Sequence, residues 1–147
     1  MADTLDVTTL TTRERISYFL NDHPDLLAIG LPADGVLQAD TVNSPTIRPF
    51  IVVRWLDTAA SLGPVSKRPF DLWGYDEEGD YTRIETILKR AAELLTDETT
   101  TPLKTQTGVI SQISDRESGY GRGADLYDDG YKALVIPWRF FAIATGL

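Results

Sequence analysis

Side chains able to move protons, attack a reactive centre or hold a metal are sparse in this chain of 147 residues, which has one histidine and no cysteine. Disulfides, thiolate nucleophiles and zinc–thiolate sites are therefore absent together, and a histidine-based metal site lacks its second imidazole. His23 stands beside Pro24 at a predicted helix end. A C-terminal capping role is the expectation there, since no Gly-x-Ser-x-Gly elbow or other nucleophile accompanies it.

The carboxylates offer more. Asp76 with Asp128 is a pair that an enzyme could use as general acid and base, but nothing in the sequence fixes their separation. Asp125, Asp128, Asp129 and Gly130 have the composition of a calcium loop. The EF-hand register from Asp125 would then need an oxygen ligand at Tyr127 and a glutamate where Ile136 stands. A solvated turn fits better. Asp76, Glu77, Glu78 and Asp80 precede a helix, whose N-terminus favours negative charge. Gly119-Tyr120-Gly121-Arg122-Gly123 is not a phosphate loop, for no strand–turn–helix context or Gly-Lys-Ser follows it. No catalytic residue, cofactor or metal is expected.

Charge narrows the partners. With 22 acidic against 14 basic residues the net charge is −8, which repels a phosphate backbone and argues against tight DNA binding, although a conduit for DNA can be acidic. The chain has no apolar run long enough to span a membrane, and Met1-Ala2-Asp3-Thr4 lacks the features of a signal peptide, so an intracellular product is expected.

These residues need a scaffold, and its centre is residues 68–95. Phe70, Leu72, Trp73 and Tyr75 form a strand, the acidic turn ends in Asp80 as a helix cap, and an amphipathic helix follows directly. Ile84, Ile87, Leu88, Ala91, Ala92 and Leu95 fall on one face of that helix, with Arg83, Glu85, Lys89, Arg90 and Glu93 on the other. A first helix begins at the capping-box pattern Thr11-Thr12-Arg13-Glu14 and runs to about Asn21, with Ile16, Phe19 and Leu20 on its apolar side. Residues 1–10 are expected to be flexible. Residues 31–46 read as a long irregular connection in which Val36 and Leu37 form a brief extended piece.

Residues 50–56 form the first strand, and the connection 57–67 returns the chain to the second as an antiparallel hairpin. A threonine-rich linker over 96–107 leads to a third strand at 109–114. Residues 115–130 read as a mobile hairpin arm, and 131–144 form the fourth and longest strand, where Pro137 marks a bulge or an edge. The expected fold is α+β, a single domain of order α-β-β-α-β-β with a four-stranded, mainly antiparallel sheet. Its first and fourth strands are apolar on both sides, whereas the helices cover one. A neighbouring copy of the chain is the economical cover, and the 31–46 segment is the alternative.

Three phrases carry a resemblance: Ile47-Arg48-Pro49-Phe50-Ile51-Val52-Val53-Arg54-Trp55, Asp71-Leu72-Trp73-Gly74-Tyr75-Asp76 and Tyr81-Thr82-Arg83-Ile84-Glu85. Together they resemble the tail terminator, or tail completion, proteins of long-tailed bacteriophages, especially those of actinobacterial hosts. The likeness spans about residues 31–144, and its motifs are structural rather than catalytic. It implies a ring, usually a hexamer, that stops tube polymerisation on the last tail-tube ring, joins the head through a connector and lets DNA pass through its lumen. The expected place is the head-proximal end of the virion tail, after assembly in the host cytoplasm. A head-to-tail connector or another neck protein is the alternative. Arg116, Tyr120, Arg122 and Tyr127 are the candidate protein–protein contacts, arginine and aromatic side chains being favoured at interfaces.

Overall fold

The computed structural model describes residues 12–38, 48–56, 60–62, 65–97 and 110–144. Thr11, the 1–10 terminus, residues 39–46 of the long connection and most of the 96–107 linker lie outside them. Helix α1 (Thr12–Leu20) turns Ile16 and Leu20 fully inward with Phe19 packed beside them, as their spacing requires. Past its end Asp22 takes a left-handed φ of 59°, a conformation aspartate tolerates. Its Oδ1 accepts from the Asp34 amide at 2.9 Å, while Asn21 Oδ1 accepts from Val36 N at 3.4 Å. Those two bonds aim the chain into β1 (Val36–Gln38).

His23 corrects the capping expectation. Its Nδ1 accepts from Asp25 N at 3.2 Å, so it caps the start of α2 (Pro24–Leu27) and not the end of α1. Pro24 explains the reversal, because its fixed φ and missing N–H suit the first helical position.

The sheet is mixed, with main order β1, β2 (Phe50–Trp55), β4 (Val65–Asp76), β8 (Ala133–Ala144) and β5 (Ile110–Ser114). The expected antiparallel hairpin of β2 and β4 is present, in a register that pairs Phe50 with Tyr75 and Trp55 with Phe70. Two pairings were not expected there. The extended piece at Val36 pairs in parallel with β2, and β3 (Ala60–Leu62) forms inside the 57–67 connection, antiparallel to β4. Three-residue strands carry too little alternation to be distinguished from loop in a sequence.

The 115–130 segment also differs, for its strands β6 (Gly121–Arg122) and β7 (Leu126–Asp128) do not pair with each other but each with β8. Pro137 lies between the two pairings. Its carbonyl accepts from Gly123 N at 2.7 Å, and because N–H and C=O of a strand residue point the same way, its missing donor faces that edge. The ladder breaks there between β6 and β7, but β8 is an inner strand that pairs Pro137 with Trp73 on its other side, so the proline marks a local gap and not an edge strand.

Helix α3 (Thr82–Thr96) packs Ile84, Ile87, Leu88, Ala91, Ala92 and Leu95 onto the sheet, all 5% exposed or less. Asp80 Oδ1 accepts from Thr82 N at 2.6 Å and so starts it as expected. A side chain at Gly74 would stand 2.7 Å from Ile84 and 2.8 Å from Leu88, so glycine lets helix and strand approach. With α1 and α2 alongside, these residues and Ile51, Val53, Phe70, Leu72, Ile136 and Phe140 make the main core.

The second face requires a correction. Phe50, Val52, Tyr75 and Val135 are 2%, 5%, 1% and 2% exposed within the single chain, so their dryness needs no neighbouring copy. Phe50 and Tyr75 stack at 4.7 Å, and Tyr131 meets both edge-on at 6.0 and 5.2 Å. Leu37, from the 31–46 segment given as the alternative cover, packs against this cluster together with Trp73 and Tyr131, which counting helices alone overlooked.

Candidate functional site

With its oily end closed, the second face leaves a polar and aromatic strip across three strands. The register places Arg54 opposite Asp71 and Asp71 opposite Arg139, at positions where alternation in β2, β4 and β8 turns side chains away from the helices. Arg139 grips Asp71 with two bonds, Nε to Oδ1 at 2.8 Å and Nη2 to Oδ2 at 3.0 Å. Trp73 Nε1 donates to the same Oδ2 at 3.3 Å. Asp71 is 3% exposed, whereas the Arg139 side chain is 46% exposed. The hydrogen bond it donates to Asp71 holds the Arg139 guanidinium above its ordinary pKa, burial opposing it.

Arg54 completes the strip. Its guanidinium lies 4.9 Å from the centre of the half-buried Trp73 ring, in cation–π contact, and its charge acts on the Tyr75 phenol. Burial is the main cause lifting that phenol above its ordinary pKa, and Arg54 pulls the other way. Further along the face Lys67 Nζ lies 4.2 Å over the Phe141 ring and binds Glu117 at 2.7 Å. Both Asp71 oxygens are thus engaged within the chain, by Arg139 and Trp73.

The four residues singled out for protein contacts fall in different places. Arg122 is turned towards α3, where it bonds Glu85 at 2.7 Å and Asp125 at 2.5 Å, so it fastens the segment to its own chain. Those two carboxylates hold its guanidinium above the ordinary pKa, Asp125 contributing most. Tyr120 packs edge-on against Phe141 at 5.5 Å, beside the strip. Tyr127 is 45% exposed next to Leu126 at 40%, and desolvation followed by the nearby Glu78 charge raises its phenol pKa. Arg116 is exposed. The segment is pinned besides by Trp138 Nε1 to Asp115 at 2.9 Å and by Tyr81 Oη to the Leu126 carbonyl at 2.8 Å.

Sequence reading missed Arg54, Asp71, Trp73 and Arg139 as a group. Their signal was there in part, as charged residues interrupting apolar strands, but only the strand register shows that they share one row.

Of the enzyme pair, Asp76 is 2% exposed, with Arg83 bridging both of its oxygens and Glu77 N donating to Oδ1 at 2.7 Å. Among the described residues, no three histidine, aspartate or glutamate side chains group as a metal site would need. An open groove of about 550 Å³ runs between α2 and α3, lined by Asp25, Ala28, Ile29, Thr86, Lys89, Arg90 and Glu93. Arg90 bonds Asp25 at 2.5 Å and Glu93 at 3.3 Å, so its charge is matched from within. No described helix is long and apolar enough to cross a membrane. Compared with known proteins, the chain matches no family model and no curated protein.

Proposed function

We propose that the chain is a ring-forming structural protein of a long-tailed phage, a tail terminator that caps the tail tube, ends its polymerisation and offers the surface for head attachment. The observation that carries the reading is where its three resembling phrases fall. Residues 48–55 lie at and along β2, Asp71 to Asp76 close β4, and Tyr81 to Glu85 open α3, so the phrases meet as one packed unit in which Ile51 pairs with Gly74 beneath Ile84. Sequence shared for packing belongs to a scaffold, and a scaffold with a recognition strip suits assembly more than turnover.

In this reading the partners are further copies of the chain, a hexamer by analogy with the family it resembles, together with the tail tube protein and the head-to-tail connector. DNA passes through the lumen without specific binding, for which a net charge of −8 is suited because it weakens contact with phosphates. The protein's place is the head-proximal end of the tail in the virion, following assembly in the host cytoplasm.

Phage particles produced without the protein test this directly. Overlong tails support the terminator; tails of normal length that fail to join heads make it a connector or another neck protein. Complete, infectious particles would remove it from the tail altogether.

A further inference from the structure

We infer that the strip of Arg54, Trp73 and Arg139 is the docking surface for a second copy of this chain, which places its acidic turn of Glu77, Glu78 and Asp80 against it. The inference rests on the ring reading above and names the contact that builds the ring.

The receiving side is short of an acceptor. Arg54 Nε is buried without a hydrogen-bond partner, and no ion pair among the described residues includes Arg54. Its cross-strand neighbour Asp71 has both oxygens taken by Arg139 and Trp73. The Arg54 charge is thus unmatched by any described carboxylate, and a carboxylate brought by another molecule can pair with the guanidinium from the open side of the face. Arginine beside a half-buried tryptophan is also the composition of an interface centre.

The inserting side has carboxylates to offer. Glu77, Glu78 and Asp80 are exposed, and none of them forms an ion pair among the described residues. Between them Gly79 adopts φ 140°, and a side chain there would meet nothing within 4 Å, so the tip of the turn is open although Asp80 also caps α3. Copies that each carry a net charge of −8 repel at a distance, and a local contact of opposite charges is what selects one orientation. The two patches are different surfaces. A contact between unlike patches is heterologous, the kind that propagates head to tail and closes into a ring.

Sedimentation velocity and mass photometry on the full chain, alone and with tail tubes, test the contact. Arg54→Glu, and separately Glu77→Lys with Glu78→Lys, should each raise the concentration of half-assembly by roughly tenfold or more. Combining all three substitutions should recover most of the loss, and added salt should weaken the wild type. Arg54→Leu, which keeps apolar cover over Trp73, provides the same readout should the reversal fail to fold. If assembled wild type is indifferent to both reversals, the contact is wrong and the ring reading survives. If the wild type stays monomeric at every concentration and on tubes, both fall.

Discussion

Asp71 and Arg139 stand opposite each other on β4 and β8, joined by two parallel bonds of 2.8 and 3.0 Å although they are 68 residues apart in the chain. The pair is lopsided, because the carboxylate is 3% exposed and the arginine side chain 46%. Removing either member therefore leaves a different remainder. Arg139→Ala strands a buried carboxylate with Trp73 alone as side-chain donor, whereas Asp71→Asn leaves a guanidinium that water can reach. We expect Asp71→Asn to cost about 1–2 kcal/mol, a value reduced by the exposure of Arg139, and Arg139→Ala to cost more. Urea denaturation of both variants checks this, and the reverse ranking would contradict it.

A second expectation concerns the spacing of helix and sheet. Gly74→Ala brings a methyl group to 2.7 and 2.9 Å from two Ile84 carbons and 2.8 Å from Leu88. Overpacking at a closed contact typically costs about 1–3 kcal/mol. Ile84→Val removes one of the opposing carbons, so the double variant should be more stable than the two single losses added together, by about 0.5 kcal/mol or more. Additive losses in chemical denaturation would show that the helix shifts as a body instead.

Acid sensitivity follows from Asp25. Its carboxyl is held below the ordinary 3.8 chiefly by the hydrogen bond from Arg90, with desolvation opposing and the charges of Arg90 and His23 assisting. A carboxyl whose pKa is depressed by folding stabilises the fold above its unfolded value and loses that contribution as pH falls through the folded one. Wild type should therefore exceed Asp25→Asn in denaturation midpoint at neutral pH, and the gap should close as pH drops below 3.8. A gap that persists in strong acid would mean the asparagine perturbs packing.

Much of the scaffold was legible. The three- and four-residue spacing from Ile84 to Leu95 reads as a helix face in any context, and the alternating runs around Phe50 and Phe70 read as a hairpin because only a short connection separates them. What escaped depends on distant pairing. The strip of Arg54, Asp71 and Arg139 exists only once β2, β4 and β8 settle into register, and no local pattern contains that register. His23 escaped for a smaller reason, since a residue between two helices can cap either, and the proline after it decided which.

Arg122 gives the last expectation, because its ion pairs lie within its own chain whereas its residue type suggested a protein contact. Its guanidinium ties the segment after Asp115 to α3 through Glu85, braces it through Asp125, and donates to the Gly123 carbonyl at 2.7 Å. Gly123 N in turn bonds Pro137 O, beside the break between β6 and β7. An arginine holding three acceptors of its own chain is poorly placed to dock on another protein. Arg122→Ala should consequently speed amide exchange across Gly121, Arg122 and Leu126 to Asp128 while leaving the β4–β8 ladder protected, since local opening need not involve the core. Assembly should be less affected than by Arg54→Glu. Hydrogen exchange read by mass spectrometry separates the cases: loss of protection throughout β8 would make Arg122 part of the global fold, and unchanged exchange with lost assembly would return it to the interface.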